Sequence, residues 1–304
     1  MELRFKLNYL FQGQNSPFLH AVDAGYFDDH GLSCTFVEGF SSSLVTRALV
    51  DGEADIGYGD VSSVFERALR TGETEISCLV PIYEHTPCCL GYLSDGKRLT
   101  LADIPGSTLC GPNGDTSARL LPLLLKRNGY APDSYSYLGV QPEERDGLVA
   151  SRSVLAATCF DATLKFAMQM RGYDASALDF LYFADNGLDI YSGALVALNS
   201  VLEKEPGLAG KLQAITRQAW NDCLADPQLG VDAVIRRSPD MDPDIVLSQL
   251  TWILERQVFP DGARPMAFDL DGAKMVDTLE CATYAVGAEA KRSPVGLPAE
   301  ICLV

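Results

Sequence analysis

Apolar and polar residues alternate from the first positions of the chain, where Leu3, Phe5, Leu7, Tyr9 and Phe11 recur at the two-residue period of a half-buried strand. The alternation breaks at Gln12-Gly13-Gln14-Asn15-Ser16, and Pro17 stands where the first turn of a helix tolerates a residue without an N–H. A strand, a polar loop and a helix N-terminus in this order turn backbone N–H groups and short polar side chains toward open space. Such a junction suits a small polar or anionic ligand.

The same succession recurs twice. Gly31 closes the first helix and positions 32–37 read as a strand, followed by the polar loop Gly39-Phe40-Ser41-Ser42-Ser43 and a helix face of Leu44, Ala48 and Leu49. Positions 54–59 read as a third strand that leads to Asp60, with helical spacing over 61–69. In an open, mostly parallel sheet these loops all fall at the carboxyl edge of the strands and converge on one crevice.

A second αβ series begins after a β-rich run at 76–81, the stretch Tyr83-Glu84-His85-Thr86-Pro87-Cys88-Cys89, and a turn at Ser94-Asp95-Gly96-Lys97. Positions 107–110 read as a strand, 111–117 as a Gly-rich loop and 118–128 as a helix, with Thr116 or Ser117 as N-cap and Arg119 in its first turn. Strands follow at 135–140, 154–160 and 178–183, the second ending at Asp161 and the third at Asp185-Asn186; helices are expected at 143–151 and 164–170. Positions 188–198 lead back to the first lobe. The remainder has helix-period spacing at 202–225, 229–236 and 245–256, and should cover that lobe. The expected architecture is α/β with two lobes, each a mostly parallel sheet flanked by helices: 1–91 with 190–304, and 92–189.

Composition narrows the function classes. The chain has 304 residues, 47% of them hydrophobic, enough for a full core in two lobes. Acidic residues outnumber basic ones 41 to 24, a formal charge of −17 that argues against nucleic acid or an anionic membrane as partner. No apolar run of about 18 residues occurs. Met1-Glu2-Leu3-Arg4-Phe5 does not begin a signal peptide, so the expectation is a cytoplasmic protein or a mature extracytoplasmic chain restarted at a methionine. The nine cysteines include no CxxC pair and no zinc-finger spacing, so no metal and no cofactor is expected.

A wider pattern then joins these pieces. Asn15-Ser16-Pro17-Phe18, Ala24-Gly25-Tyr26-Phe27 and Gly31-Leu32 are followed by the run Arg47-Ala48-Leu49-Val50-Asp51-Gly52-Glu53-Ala54-Asp55-Ile56-Gly57. Leu101-Ala102-Asp103-Ile104-Pro105-Gly106, Phe160-Asp161-Ala162, Ser192-Gly193-Ala194-Leu195-Val196-Ala197, Glu205-Pro206 and Ala225-Asp226-Pro227 come in the same order further on. The succession resembles the solute-binding proteins of ABC importers for nitrate, sulfonates, taurine and thiamine-pyrimidine precursors, over roughly residues 3 to 230. The resemblance implies a type II periplasmic-binding-protein-like fold whose two lobes are joined by two crossing strands, with a small ligand in the cleft between them. It further implies a monomer that meets a membrane permease outside the cytoplasm.

The candidate contacts follow. Gln12, Gln14, Asn15 and Ser16 flank the first helix N-terminus and either touch ligand or only cap and turn; Ser41 and Ser42 have the same two readings. Asp60 accepts from an amine or pyrimidine, or else caps the next helix. Tyr83 and Glu84 suit a flat heterocycle, or belong to a surface loop. In the second lobe Asp115, Thr116 and Ser117 can close over a ligand, with Arg119 as partner for a sulfonate, nitrate or carboxylate. Asp161 and Asp185 either touch the ligand or shape the hinge.

An enzyme reading rests on Cys88-Cys89 with His85 three residues before. Enzymes on this fold, a pyrimidine synthase and a cysteine-dependent desulfinase, resemble the chain in outline. The cysteine-rich motif of the synthase and the lysine and histidine of its opening loop are not matched here, and two apolar cysteines entering a strand are more often packing than catalysis.

Overall fold

Among the described residues, ten strands form two five-stranded sheets. In chain order they are β1 Glu2–Lys6, β2 Ser33–Val37, β3 Ile56–Asp60, β4 Ile76–Pro81, β5 Cys88–Leu93, β6 Thr108–Gly111, β7 Ser136–Gly139, β8 Ala156–Phe160, β9 Leu178–Tyr182 and β10 Gly193–Leu198. The structure is a computed structural model that describes residues 1–39, 41–83, 85–259 and 271–302, with the backbone alone at Ser43.

The first sheet has the order β2-β1-β3-β10-β4 and the second β7-β6-β8-β5-β9. Each contains one reversed strand. β10 runs antiparallel to β3 and β4, while β5 runs antiparallel to β8 and β9. The chain divides into two compact units, Met1–His85 with Tyr191–Val304, and Thr86–Ile190. In each unit the reversed strand is the one the chain enters directly after passing from the other unit. The sequence reading divided β5 at residue 91, whereas β5 pairs with β8 and β9 of the second unit over positions 88–93.

β1 is shorter than its alternating pattern. It ends at Lys6, and after Leu7 donates to the Val37 carbonyl at 2.9 Å the backbone leaves the ladder. Phe11 N–H is taken by Glu38 Oε1 at 2.9 Å and the Tyr9 carbonyl accepts from Gly39 N–H at 3.1 Å, so positions 7–11 form a loop outside the sheet. β2 has ended at Val37 by then, and alternation alone does not report this.

In the first unit, the helix Val61–Thr71 packs on the sheet beside the helix Gly272–Val286, and Val45, Phe65, Ile76, Val196 and Ile301 share one core. On the other face Trp220, from the helix Leu208–Ala225, meets Phe18 at 5.8 Å and Tyr58 at 6.5 Å between ring centroids. The expected C-terminal cover of this unit is therefore present. Pro206 splits its first helix: the chain is helical over Asn199–Leu202 and again from Leu208, because a proline has no N–H for a helix interior.

Candidate functional site

The polar residues singled out in the first unit gather at the carboxyl edge of its sheet. There Asp60 closes β3 opposite Gly193, the first residue of β10. Asp60 is 1% exposed and caps the helix Val61–Thr71. Its Oδ1 accepts the Ser62 hydroxyl and, at 3.1 Å, the Ser63 N–H, while Oδ2 accepts the Ser192 hydroxyl at 2.9 Å. Both oxygens are thus engaged within the protein, as a buried carboxylate requires. Ile82 donates to the Gly193 carbonyl at 2.7 Å, which brings Tyr83 to the same edge. A Cβ on Gly193 would lie 2.9 Å from Tyr58 Oη and 3.2 Å from Tyr83 Cδ2, so only glycine lets the two rings close over the start of β10. Burial pushes the Tyr58 phenol well above its ordinary pKa, so it stays a neutral hydroxyl.

Residues 12–16 wrap the end of β1. Asn15 and Ser16 are fully buried, Gln12 nearly so and Gln14 partly. The Ser16 hydroxyl donates to the Gly13 carbonyl at 2.8 Å and Asn15 Nδ2 to the Leu10 carbonyl at 2.9 Å. Two side-chain oxygens in this loop, Asn8 Oδ1 and Asn15 Oδ1, are buried without a partner. An unpaired buried acceptor costs about 1–3 kcal/mol. Ser41 and Ser42 stand half-buried at the start of the helix Ser42–Val50, where the Ser41 carbonyl accepts from Leu44 N–H at 3.1 Å. Glu84 lies outside the described residues.

The loop is braced from far along the chain. Gly13 N–H donates to Gln249 Oε1 at 2.9 Å from the helix Pro243–Ile253. A Cβ on Gly13 would come within 2.6 Å of Gln249 Cβ and 2.7 Å of the Val246 carbonyl, and one on Gly230 within 2.7 Å of Ser16 Oγ. Two bare backbones therefore let the loop nest against the C-terminal helices.

In the second unit Asp115, Thr116 and Ser117 come together at the N-terminus of the helix Thr116–Arg127. The N-cap is Asp115, not Thr116 or Ser117: its Oδ2 accepts from Ala118 N–H at 3.2 Å. Asp, Thr and Ser all cap well, and three in succession leave the choice to the loop geometry. Burial raises the Asp115 carboxyl above its ordinary pKa, against the pull of the Ala118 N–H and of Arg145. Ser117 donates to the Cys159 carbonyl at 2.7 Å, tying the helix to β8. Arg119 reaches back to Thr116 Oγ1 at 3.3 Å. Asp161 begins the helix Asp161–Met170 beyond β8, fully buried, accepting Tyr182 Oη at 2.9 Å and Ala162 N–H at 2.7 Å.

Asp185 stands apart from this group. It pairs with Arg98 at 3.5 Å, and the neighbouring Asn186 and Gly187 carbonyls accept from Asn128 and Arg127 at the C-terminal end of the helix Thr116–Arg127. Asp115 caps the other end, and twelve residues of helix span about 18 Å.

Arg145, which the sequence reading passed over, is a buried cation in this unit. It is 3% exposed, donates from Nε to Asp146 Oδ1 at 2.8 Å, and acts electrostatically on Asp115 and Cys110. The run Glu143-Glu144-Arg145-Asp146 has the composition of a solvated helix face, so nothing local marks the arginine. A cavity of about 540 Å³ opens at the amino end of the same sheet, lined by Leu93, Lys97, Arg98, Thr108, Arg152 and Ala156 among others. Its cations are committed, Lys97 to Asp103 at 2.7 Å, Arg98 to Asp185 and Arg152 to the Leu93 and Ser94 carbonyls, so it offers little charge to a ligand.

Cys88 and Cys89 are fully buried in β5 and His85 is exposed. Burial pushes the Cys89 thiol well above its ordinary pKa, the reverse of what a nucleophile needs. Among the described residues no group of His, Cys, Asp and Glu is arranged to hold a metal ion, and no helix is long and apolar enough to cross a membrane.

The NMT1/THI5-like family model matches residues 12–229, well over half of the chain. No curated protein matches the sequence. Among solved structures, the chain is similar to the alkanesulfonate-binding protein SsuA from Xanthomonas axonopodis pv. citri bound to MOPS, with TM-score 0.69 at 15% identity over 99% of this chain and 97% of that one. It is similar also to the periplasmic aliphatic sulphonate-binding protein SsuA from Escherichia coli, with TM-score 0.70 at 14% identity over 92% and 90%. A Candida albicans protein described as having the generic periplasmic-binding-protein fold gives TM-score 0.65 at 12% identity over 99% and 96%. The fold of this chain is the periplasmic-binding-protein fold.

Proposed function

The chain belongs to the NMT1/THI5-like family, and on that footing we propose that it is the solute-binding receptor of an ABC importer, taking up a small polar ligand by hinge closure. The observation that supports this reading is the first unit's polar loop after β1, where Asn8 and Asn15 each bury an amide oxygen that lacks a donor among the described residues. Those acceptors suit a ligand with N–H groups. The polar helix start at Thr116 and Ser117, with Arg119 beside it, suits an anionic group. A taurine-like aminosulfonate is one such polar ligand, and a pyrimidine-type precursor is another. Two of the structural neighbours bind sulfonates, which favours the former.

No chemistry on the ligand is part of this reading. The enzyme alternative lacks an activated thiol, since Cys88 and Cys89 are packed inside β5. The reading entails an extracytoplasmic monomer that delivers its ligand to a permease. Thermal unfolding with taurine, methanesulfonate, nitrate and an aminopyrimidine tests it: one compound should raise the midpoint, since a ligand at 100 times its Kd adds about 2.7 kcal/mol. Consumption of that compound would overturn the reading.

A further inference from the structure

Two thiols at the far edge of the first sheet are placed for a reaction that the ligand reading does not use. Cys78 lies in β4 at 2% exposure, and Cys302, one residue beyond the helix Leu297–Ile301, forms an isolated parallel bridge with it. Leu297 and Ile301 are buried in the core with Val64, Phe65 and Ile76, so the segment carrying Cys302 is anchored on the residue before it. Both thiols are free, and the two side chains are close enough to act on one another electrostatically. We propose that Cys78 and Cys302 form a disulfide that fastens the segment after Leu297–Ile301 to β4.

Geometry permits it. Residues facing each other across a β-bridge have Cα atoms about 5 Å apart, within the span a disulfide bridges. The two thiols also have complementary roles. Cys302 is half-buried and within reach of a small reagent, and the neighbouring Cys78 thiol holds its pKa below the ordinary thiol value. The proximity of Cys302, with burial, raises Cys78. Cys302 is therefore the attacking thiolate and Cys78 the resolving thiol.

With a small disulfide such as oxidised glutathione as oxidant, Cys302 Sγ attacks one sulfur and releases one glutathione thiolate, leaving a mixed disulfide. Cys78 then loses its proton, attacks Cys302 Sγ and expels the second thiolate. Two protein thiols are oxidised, one glutathione disulfide is reduced, and the two protons end on the two glutathione thiols.

A second pair shows what proximity without access gives. Cys89 and Cys159 face each other across β5 and β8 with sulfurs 3.6 Å apart, but both are buried at 0–1% exposure. Neither can begin the exchange from the folded state.

The test treats the whole folded chain with oxidised glutathione, blocks remaining thiols with iodoacetamide and maps the tryptic peptides by mass spectrometry. Cys78 falls in peptide 71–97 with Cys88 and Cys89, and Cys302 in the peptide that begins at Ser293, so fragment ions must assign the bond. The expected result is a Cys78–Cys302 link in most molecules, with Cys89 and Cys159 unlinked. Cys78→Ser should stop at a glutathione adduct on Cys302, and Cys302→Ser should give neither adduct nor link. Recovery of Cys302 as its alkylated thiol, its persistence as an adduct in the unmodified chain, or a bond to Cys88 or Cys89 would overturn the proposal. If a serine variant fails to fold, the unmodified chain still decides.

Discussion

The backbone N–H of Gly13 donates to the side-chain carbonyl of Gln249 at 2.9 Å, across 236 positions of sequence. The first loop of the candidate site is thus shaped by a helix near the other end of the chain. Gln249→Leu keeps the bulk but leaves the Gly13 N–H buried and unpaired, at a cost of about 1–3 kcal/mol. Gly13→Ala forces a Cβ against the Val246 carbonyl and the Leu250 nitrogen at 2.7 and 2.8 Å, so the loop must move. Denaturant titration should show both losses, with Gly13→Ala also lowering ligand affinity. Unchanged stability in both would mean the loop does not nest there.

Asp60 joins β3, the helix it caps and β10 through Ser62, Ser63 and Ser192. Asp60→Ala should cost more than the roughly 1 kcal/mol of an ordinary cap, because it also strands the Ser192 hydroxyl in a buried place. Ser192→Ala should cost about 0.5–1.5 kcal/mol. A double variant less destabilised than the sum of the two would place both residues in one network.

Arg145 and Asp146 form a buried ion pair, to which Arg171 also donates. Arg145→Met leaves Asp146 without its buried partner, and about 3–5 kcal/mol should be lost. Replacing both, Arg145→Met with Asp146→Leu, should recover part of that, since apolar substitutes for a buried pair are often tolerated. Equal losses in the single and double variants would contradict the pairing.

How far the sequence disclosed all this differs by region. The strand at 76–81 was plain, because a bounded apolar run is a local signal. The reversal of β5 and β10 was not, since strand direction is a property of pairing partners and leaves no mark on composition. In the first unit, the places of residues 12–16 and Asp60 after strands of one parallel set were readable, because strand, polar loop and helix succeed one another locally. Gln249, Asn8 and Arg145 were not, as their roles arise from contacts far from their own neighbours in sequence. Ser192 stood at the head of a recognised run, and that was the one signal that could have found it. Asp185 looked equivalent to Asp161, and only the packing of Asn186 and Gly187 on Asn128 and Arg127 separates them.

The Asp103 carboxylate is held down to a pKa of about 2 by Lys97, with further help from Thr100. A carboxylate depressed in the folded state stabilises it at pH values above the unfolded pKa of about 3.9, and that contribution fades as pH falls toward 2. The stability gap between the unmodified chain and Asp103→Asn should therefore be largest at pH 6 and close by pH 2. Thermal melts across this range read it directly, and a gap that widened on acidification would contradict the pairing.

Calorimetric titration of the whole chain with taurine, followed by mass spectrometry of the recovered compound, tests the receptor reading most directly. The account predicts saturable binding at one site, return of the compound unchanged, and weakened binding in Asn15→Ala and Arg119→Ala with the fold intact. Turnover of the compound that is lost in Cys88→Ser or Cys89→Ser would contradict it. So would the absence of binding to taurine, methanesulfonate, nitrate and an aminopyrimidine alike.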